Sequence, residues 1–110
     1  MGHESNNPLI QALTECAAAC NHCASACLDQ EDVEMMAECI KLDIDCAEIC
    51  SLLAAFIARN SDYANDLLEP CITICNACAG ECAQHKNDHC KSCAEACRKC
   101  AVECEHALQV

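Results

Sequence analysis

The sequence predicts an all-α protein: an antiparallel four-helix bundle with cysteines lining the core. Three observations carry that expectation. Turn formers and aromatic strand formers are scarce, with two Gly, two Pro, one Phe, one Tyr and no Trp in 110 residues, which favours helix. Sixteen cysteines recur at steps of three and four, the spacing of one face of a helix. Short polar breaks then divide the chain into four segments of roughly 20–27 residues, and helices joined by short turns pack as antiparallel neighbours.

Residues 1–6 read as a short flexible tail in which His3 has no role, and 7–110 as a single domain. Asn7-Pro8 opens the first helix, because proline suits the first helical position. This helix runs to about Asp29, carries Cys16, Cys20, Cys23 and Cys27, and continues its stripe backwards through Leu13 and Leu9. Gln30-Glu31-Asp32 makes the first turn, with Asp32 as the expected N-cap.

The second helix is expected from about Val33 to Arg59, with Met36, Cys39, Asp43, Cys46, Cys50, Leu53 and Ile57 on its stripe. Asn60-Ser61-Asp62 breaks it and supplies capping side chains. The third helix runs to about Lys86 and aligns Leu68, Cys71, Cys75, Cys78, Cys82 and His85. Pro70 either kinks this helix or stands near a fresh start. After Asn87-Asp88 the fourth helix presents Cys90, Cys93, Cys97, Cys100 and Cys104, ending near Leu108. Gly80 points away from the stripe.

Antiparallel packing sorts the two ends. Leu9, Leu13, Leu53, Ile57, Leu68 and Ala107 or Leu108 gather at one end as an apolar plug. Gln30, Met36, His85 and the turn bearing His89 gather at the other, which reads as a mouth. Met36, His85 and His89 are the candidate ligands at that entrance. Met35 reads as packing, and His22 and His106 fall off the stripes toward solvent.

Composition excludes several classes. The formal net charge of −12 leaves no basic patch for nucleic acid. No apolar run approaches the ~20 residues needed to span a membrane. The opening MGHESNNPLI lacks the basic and apolar regions of a secretory signal. Thiols in a reducing compartment point to metal binding rather than to disulfides.

Sixteen buried thiols present soft ligands suited to Cu(I), Zn²⁺ or iron–sulfur clusters. Zinc on four thiolates leaves about −2 per site, a charge too costly to bury four times over. Each thiolate can bridge two Cu(I) ions, which gives about one copper per cysteine and no net charge. The blocks read C-x₃-C-x₂-C-x₃-C, not the C-x₂-C-x₂-C-x₃-C run of a ferredoxin. Sixteen near-equivalent cysteines also lack the singular activated thiol of a catalyst, so no enzyme activity is expected. An iron–sulfur redox protein and a structural zinc protein are the alternatives.

The segment CNACAGECAQHKNDHCKSCAEACRKCAVEC, together with CAAACNHCASAC near the start, resembles the bacterial copper storage proteins, specifically their cytosolic branch. The resemblance runs over essentially the whole chain. It implies a four-helix bundle that assembles as a homotetramer and stores many Cu(I) ions on cysteine thiolates. Loading would proceed through one end, with a few ligands there that are not cysteine. Copper would arrive on small thiols or a copper chaperone, in the cytoplasm. The sequence departs from a full set of cysteines at Asp43, since a carboxylate is a hard ligand poorly matched to Cu(I).

Overall fold

The computed structural model describes residues 7–108; the expected flexible tail over 1–6, with His3, lies outside the described residues, as do 109 and 110. Asn7 caps α1 (Pro8–Leu28): its Oδ1 accepts hydrogen bonds from the amides of Leu9 and Ile10 at 2.8 and 3.2 Å. These are two of the donors that a helix start leaves unpaired. A 3-10 turn over Val33–Met36 leads into α2 (Ala37–Ala58). A second, over Ala64–Leu67, leads into α3 (Leu68–Cys82), and α4 spans Asp88–Leu108.

Several boundaries differ from the sequence expectation. Asp32 serves the first break through its carbonyl, which accepts from the Met35 amide at 2.9 Å, and makes no side-chain cap bond. The α2 end closes through backbone bonds, and Ser61 supplies the expected side-chain bond in the break, its Oγ accepting from the Tyr63 amide at 3.1 Å. Asn60 adopts φ 56°, the amide of Ser61 donates to the Phe56 carbonyl at 2.9 Å, and that of Asn60 to Ile57 at 3.0 Å. This paired pattern satisfies carbonyls orphaned at the helix end, and asparagine tolerates the left-handed conformation it needs. Pro70 is the third residue of α3, where an amide would have no intrahelical partner, so it marks a start and not a kink.

The third helix stops at Cys82, four residues short of Lys86. Gln84 and His85 donate to the carbonyls of Glu81 and Cys82 at 3.1 Å, a tightening of the last turn that swings the chain toward α4.

Each helix packs against two neighbours in the cyclic order α1, α2, α3, α4, forming a rod of 46 × 21 × 19 Å. All sixteen cysteines face inward and are fully buried. Alanines flank them: Ala17, Ala24, Ala47, Ala79, Ala94 and Ala101 are also buried. These small side chains let the helices approach closely, so the helices themselves fix the sulfur positions. Leu13, Leu53 and Leu68 close one end. Leu9, Ile57 and Ala107 pack against that plug, whereas Leu108 turns outward. An open cavity of about 550 Å³ lies outside the plug, floored by Leu9, Ile57 and Leu68. No cysteine lines it. Gly80 is exposed, and a Cβ there would meet nothing within 4 Å.

Candidate metal centre

Neighbouring sulfurs stand 3.4–4.0 Å apart along the whole column. The shortest separation joins Cys39 to Cys82 at 3.4 Å, across α2 and α3. Cys20 lies 3.6 Å from Cys93 and from Cys97, and Cys46 lies 3.7 Å from Cys16 and from Cys75. Toward the plug, Cys50 sits 3.8 Å from Cys100, and Cys104 sits 4.0 Å from Cys71. With a metal–sulfur bond of about 2.3 Å, two thiolates on a tetrahedral or trigonal ion stand about 3.8–4.0 Å apart. The sulfurs are already at that separation, so a three- or four-coordinate ion fits with little movement of the helices, whereas a linear pair about 4.6 Å across needs the sulfurs to part slightly.

The thiols fall into overlapping groups. Cys16, Cys46, Cys50 and Cys75 form one quartet, and Cys16, Cys20, Cys46 and Cys97 the next. Cys20, Cys78, Cys93 and Cys97 form a third, and Cys50, Cys71, Cys75 and Cys100 lie deeper. Cys23, Cys27, Cys39 and Cys90 form the outermost quartet, at the mouth. Because Cys16, Cys20, Cys46, Cys50, Cys75 and Cys97 each belong to two of these sets, four of the quartets form one lattice, and the mouth quartet joins it through Cys82, 3.4 Å from Cys39 and 3.9 Å from Cys78.

Burial disfavours a charged thiolate, and it pushes Cys27 up to about 11 and Cys90 upward as well. Cys39 moves the other way, down to about 3, through hydrogen bonds with Cys23 and Cys82. Cys23 rises in response, chiefly through its bond with Cys39. The mouth quartet therefore titrates as one unit, its charge shared through these sulfur–sulfur bonds.

Asp43 is fully buried within the thiol column. Its Oδ1 accepts from Cys78 and Cys93 at 3.3 Å and from Cys82 at 3.5 Å, and its Oδ2 accepts from Cys39 at 3.8 Å. Burial drives its carboxyl up to about 10, opposed by hydrogen bonding with Cys23 and assisted by charge on Cys93, Cys39 and Cys78. In the metal-free protein at neutral pH, Asp43 is therefore an uncharged hub whose Oδ1 gives Cys78, Cys82 and Cys93 a hydrogen-bond acceptor. The sequence placed it on the stripe but did not reveal that α3 and α4 bring their thiols to it.

The entrance residues occupy three different settings. Met36 is buried beneath the rim. His89 is half-buried, with Nε2 3.5 Å from the Cys27 sulfur. His85 is also half-buried, but its Nε2 lies 2.9 Å from Oε2 of Glu81. Glu81 went unnoticed in the sequence, although its position four residues before His85 was a usable signal. Met35 does not pack: it is 73% exposed because the 3-10 turn that buries Met36 directs its predecessor outward. His22 and His106 are exposed.

A helical bundle whose core is a lattice of free thiols defines a class: a multinuclear soft-metal binding protein. The particular family follows from comparison. The copper storage protein family model matches residues 2–109, and the chain belongs to that family. The uncharacterized cysteine-rich protein YhjQ of Bacillus subtilis (strain 168) is 40% identical over 76 residues, covering 69% of this chain and 70% of that protein. The Cu(I)-bound copper storage protein BsCsp3 of Bacillus subtilis superposes with a TM-score of 0.86 at 39% identity, covering 89% of this chain and 92% of its own. A cytosolic copper storage protein from Streptomyces lividans, carrying five coppers, gives a TM-score of 0.90 at 39% identity, covering 94% and 91%.

Proposed function

We propose that this protein stores and sequesters Cu(I) in the cytoplasm, holding roughly one ion per cysteine on all sixteen thiolates and performing no catalysis. The overlap of the quartets carries this reading. A set of separate sites would give each thiol to one metal, whereas shared thiols suit bridging by a monovalent soft ion. Charge argues the same way. Sixteen thiolates with about sixteen Cu(I) ions are neutral, whereas about four zinc ions would leave roughly −8 in the core.

Residues 7–110 act as one binding unit, with 1–6 outside it. Copper arrives on small thiols or a copper chaperone and exchanges onto Met36, His89 or His85 at the mouth. It then passes down pairs of cysteines three and four residues apart. Each thiol gives up its proton as it takes metal. The homotetramer implied by the family resemblance has apolar surface available on α2, where Ile44 and Leu52 are 45% and 46% exposed. With net charge −12, nucleic acid is not a partner, and no described helix is long and apolar enough to cross a membrane.

The test is an anaerobic titration of the reduced protein with Cu(I) against a competing chromogenic chelator. Retention of about one copper per cysteine, with helical circular dichroism close to the metal-free signal, is expected. Saturation at one or two coppers would refute storage, and iron absorbance in purified protein would favour the iron–sulfur alternative.

A further inference from the structure

One helical turn beyond the outermost cysteines, the bundle ends in a layer of four side chains, one from each helix or its flanking turn. Gln30 follows Cys27 by three residues and Met36 precedes Cys39 by three; His85 follows Cys82 by three and Asn87 precedes Cys90 by three. This layer has two unlike halves. Met36 and His85, on the α2–α3 side, carry donors suited to a soft metal, and the amides on the α1–α4 side do not.

The two amides meet. Asn87 Nδ2 donates to Gln30 Oε1 at 3.2 Å, and Gln30 Nε2 donates to the Ala26 carbonyl at 3.5 Å, in the last turn of α1. The Asn87 carbonyl accepts from the amides of Cys90 and Lys91 at 3.1 Å, in the first turn of α4. A continuous chain of bonds thus runs from α1 to α4, one turn outside Cys27 and Cys90, whose sulfurs are 3.9 Å apart. Among the described residues, no other side-chain hydrogen bond joins the turn at 29–32 to the turn at 83–87. Nothing comparable ties Met36 to His85, whose imidazole is held by Glu81.

We infer that the Gln30–Asn87 bridge is a strap across the α1–α4 side of the mouth that sets how fast Cu(I) passes, without itself binding the metal. Parting a single half-buried bond between neutral amides changes an opening equilibrium by roughly 2- to 10-fold, a range suited to tuning exchange. The inference rests on the storage reading above.

The experiment uses fully loaded protein and measures Cu(I) withdrawal by excess chromogenic chelator under anaerobic conditions, together with total capacity. Asn87→Ala and Gln30→Ala should each speed withdrawal by roughly 2- to 10-fold, and the double variant should be no faster than either, since both break one bond. Gln30→Glu gives up the long 3.5 Å bond to Ala26 but keeps the acceptor for Asn87, the bond that spans α1 and α4, and should stay within about 2-fold of the native rate. Capacity should be unchanged in all four. Native rates in the alanine variants, additive effects in the double variant, a Gln30→Glu rate as fast as Gln30→Ala, or a loss of capacity would each overturn the strap. Failure of native protein to hold copper against the chelator would instead sink the storage reading, and the strap with it.

Discussion

Replacing Asp43 by asparagine tests the electrostatics of the metal-free core. Asn keeps the size and one acceptor oxygen but cannot ionise. In the native protein burial lifts the Asp43 carboxyl from 3.8 to about 10. Between those values the folded chain keeps a proton that the unfolded chain loses. The raised value therefore contributes stability that is fully present below about pH 4 and is lost as pH rises. The slope is about 1.4 kcal/mol per pH unit. By pH 7 the loss amounts to about 4 kcal/mol, a large share of the 5–15 kcal/mol typical of a domain. Urea unfolding of reduced, metal-free protein, followed by circular dichroism, should find Asp43→Asn more stable than native at pH 7.5. The gap should narrow at pH 6 and nearly vanish near pH 4.5. A gap independent of pH would refute the buried neutral carboxyl, as would an Asn variant that is weaker at every pH.

Further predictions concern the thiols and the plug. Loading Cu(I) at neutral pH should release about one proton per copper, measurable with a pH indicator in weak buffer; no release would contradict thiolate binding. Cys46→Ser should lower capacity by only one or two coppers, counted by competitive titration, because Cys46 shares its quartets with Cys16, Cys20, Cys50, Cys75 and Cys97. Complete loss from that single change would indicate one discrete site. Leu13→Ala, at a fully buried plug position, should cost the metal-free protein about 2–5 kcal/mol in urea unfolding while leaving capacity unchanged.

The helical stripes were legible because burial and covalent spacing act together. A residue three or four positions from a buried cysteine on the same helix must share its face. That logic located all sixteen inward thiols, the Leu13–Leu53–Leu68 plug and the buried Met36. It fails where the answer depends on a neighbouring helix. Asp43 was a visible interruption, but its role is set by Cys78, Cys82 and Cys93 arriving from α3 and α4. His85 on the α3 stripe and His89 in the turn before Cys90 were both candidate ligands, yet Glu81 holds one and Cys27 lies beside the other. The early stop of α3 and the outward turn of Met35 arise from 3-10 geometry, which leaves little trace in hydrophobic spacing.

The plug has a consequence for the order in which stored ions come and go. With Leu13, Leu53 and Leu68 sealing one end, the column is a blind alley, and ions deepest in it leave only after those nearer the rim have moved. Such a store empties in reverse order of filling. Seven more residues in every helix would lengthen the column by about 10 Å and add room for roughly two thiols per helix at the same spacing, yet the doorway would stay the same width. Inventory grows with length and traffic does not, so a longer bundle of this design would hold more metal and surrender it more slowly.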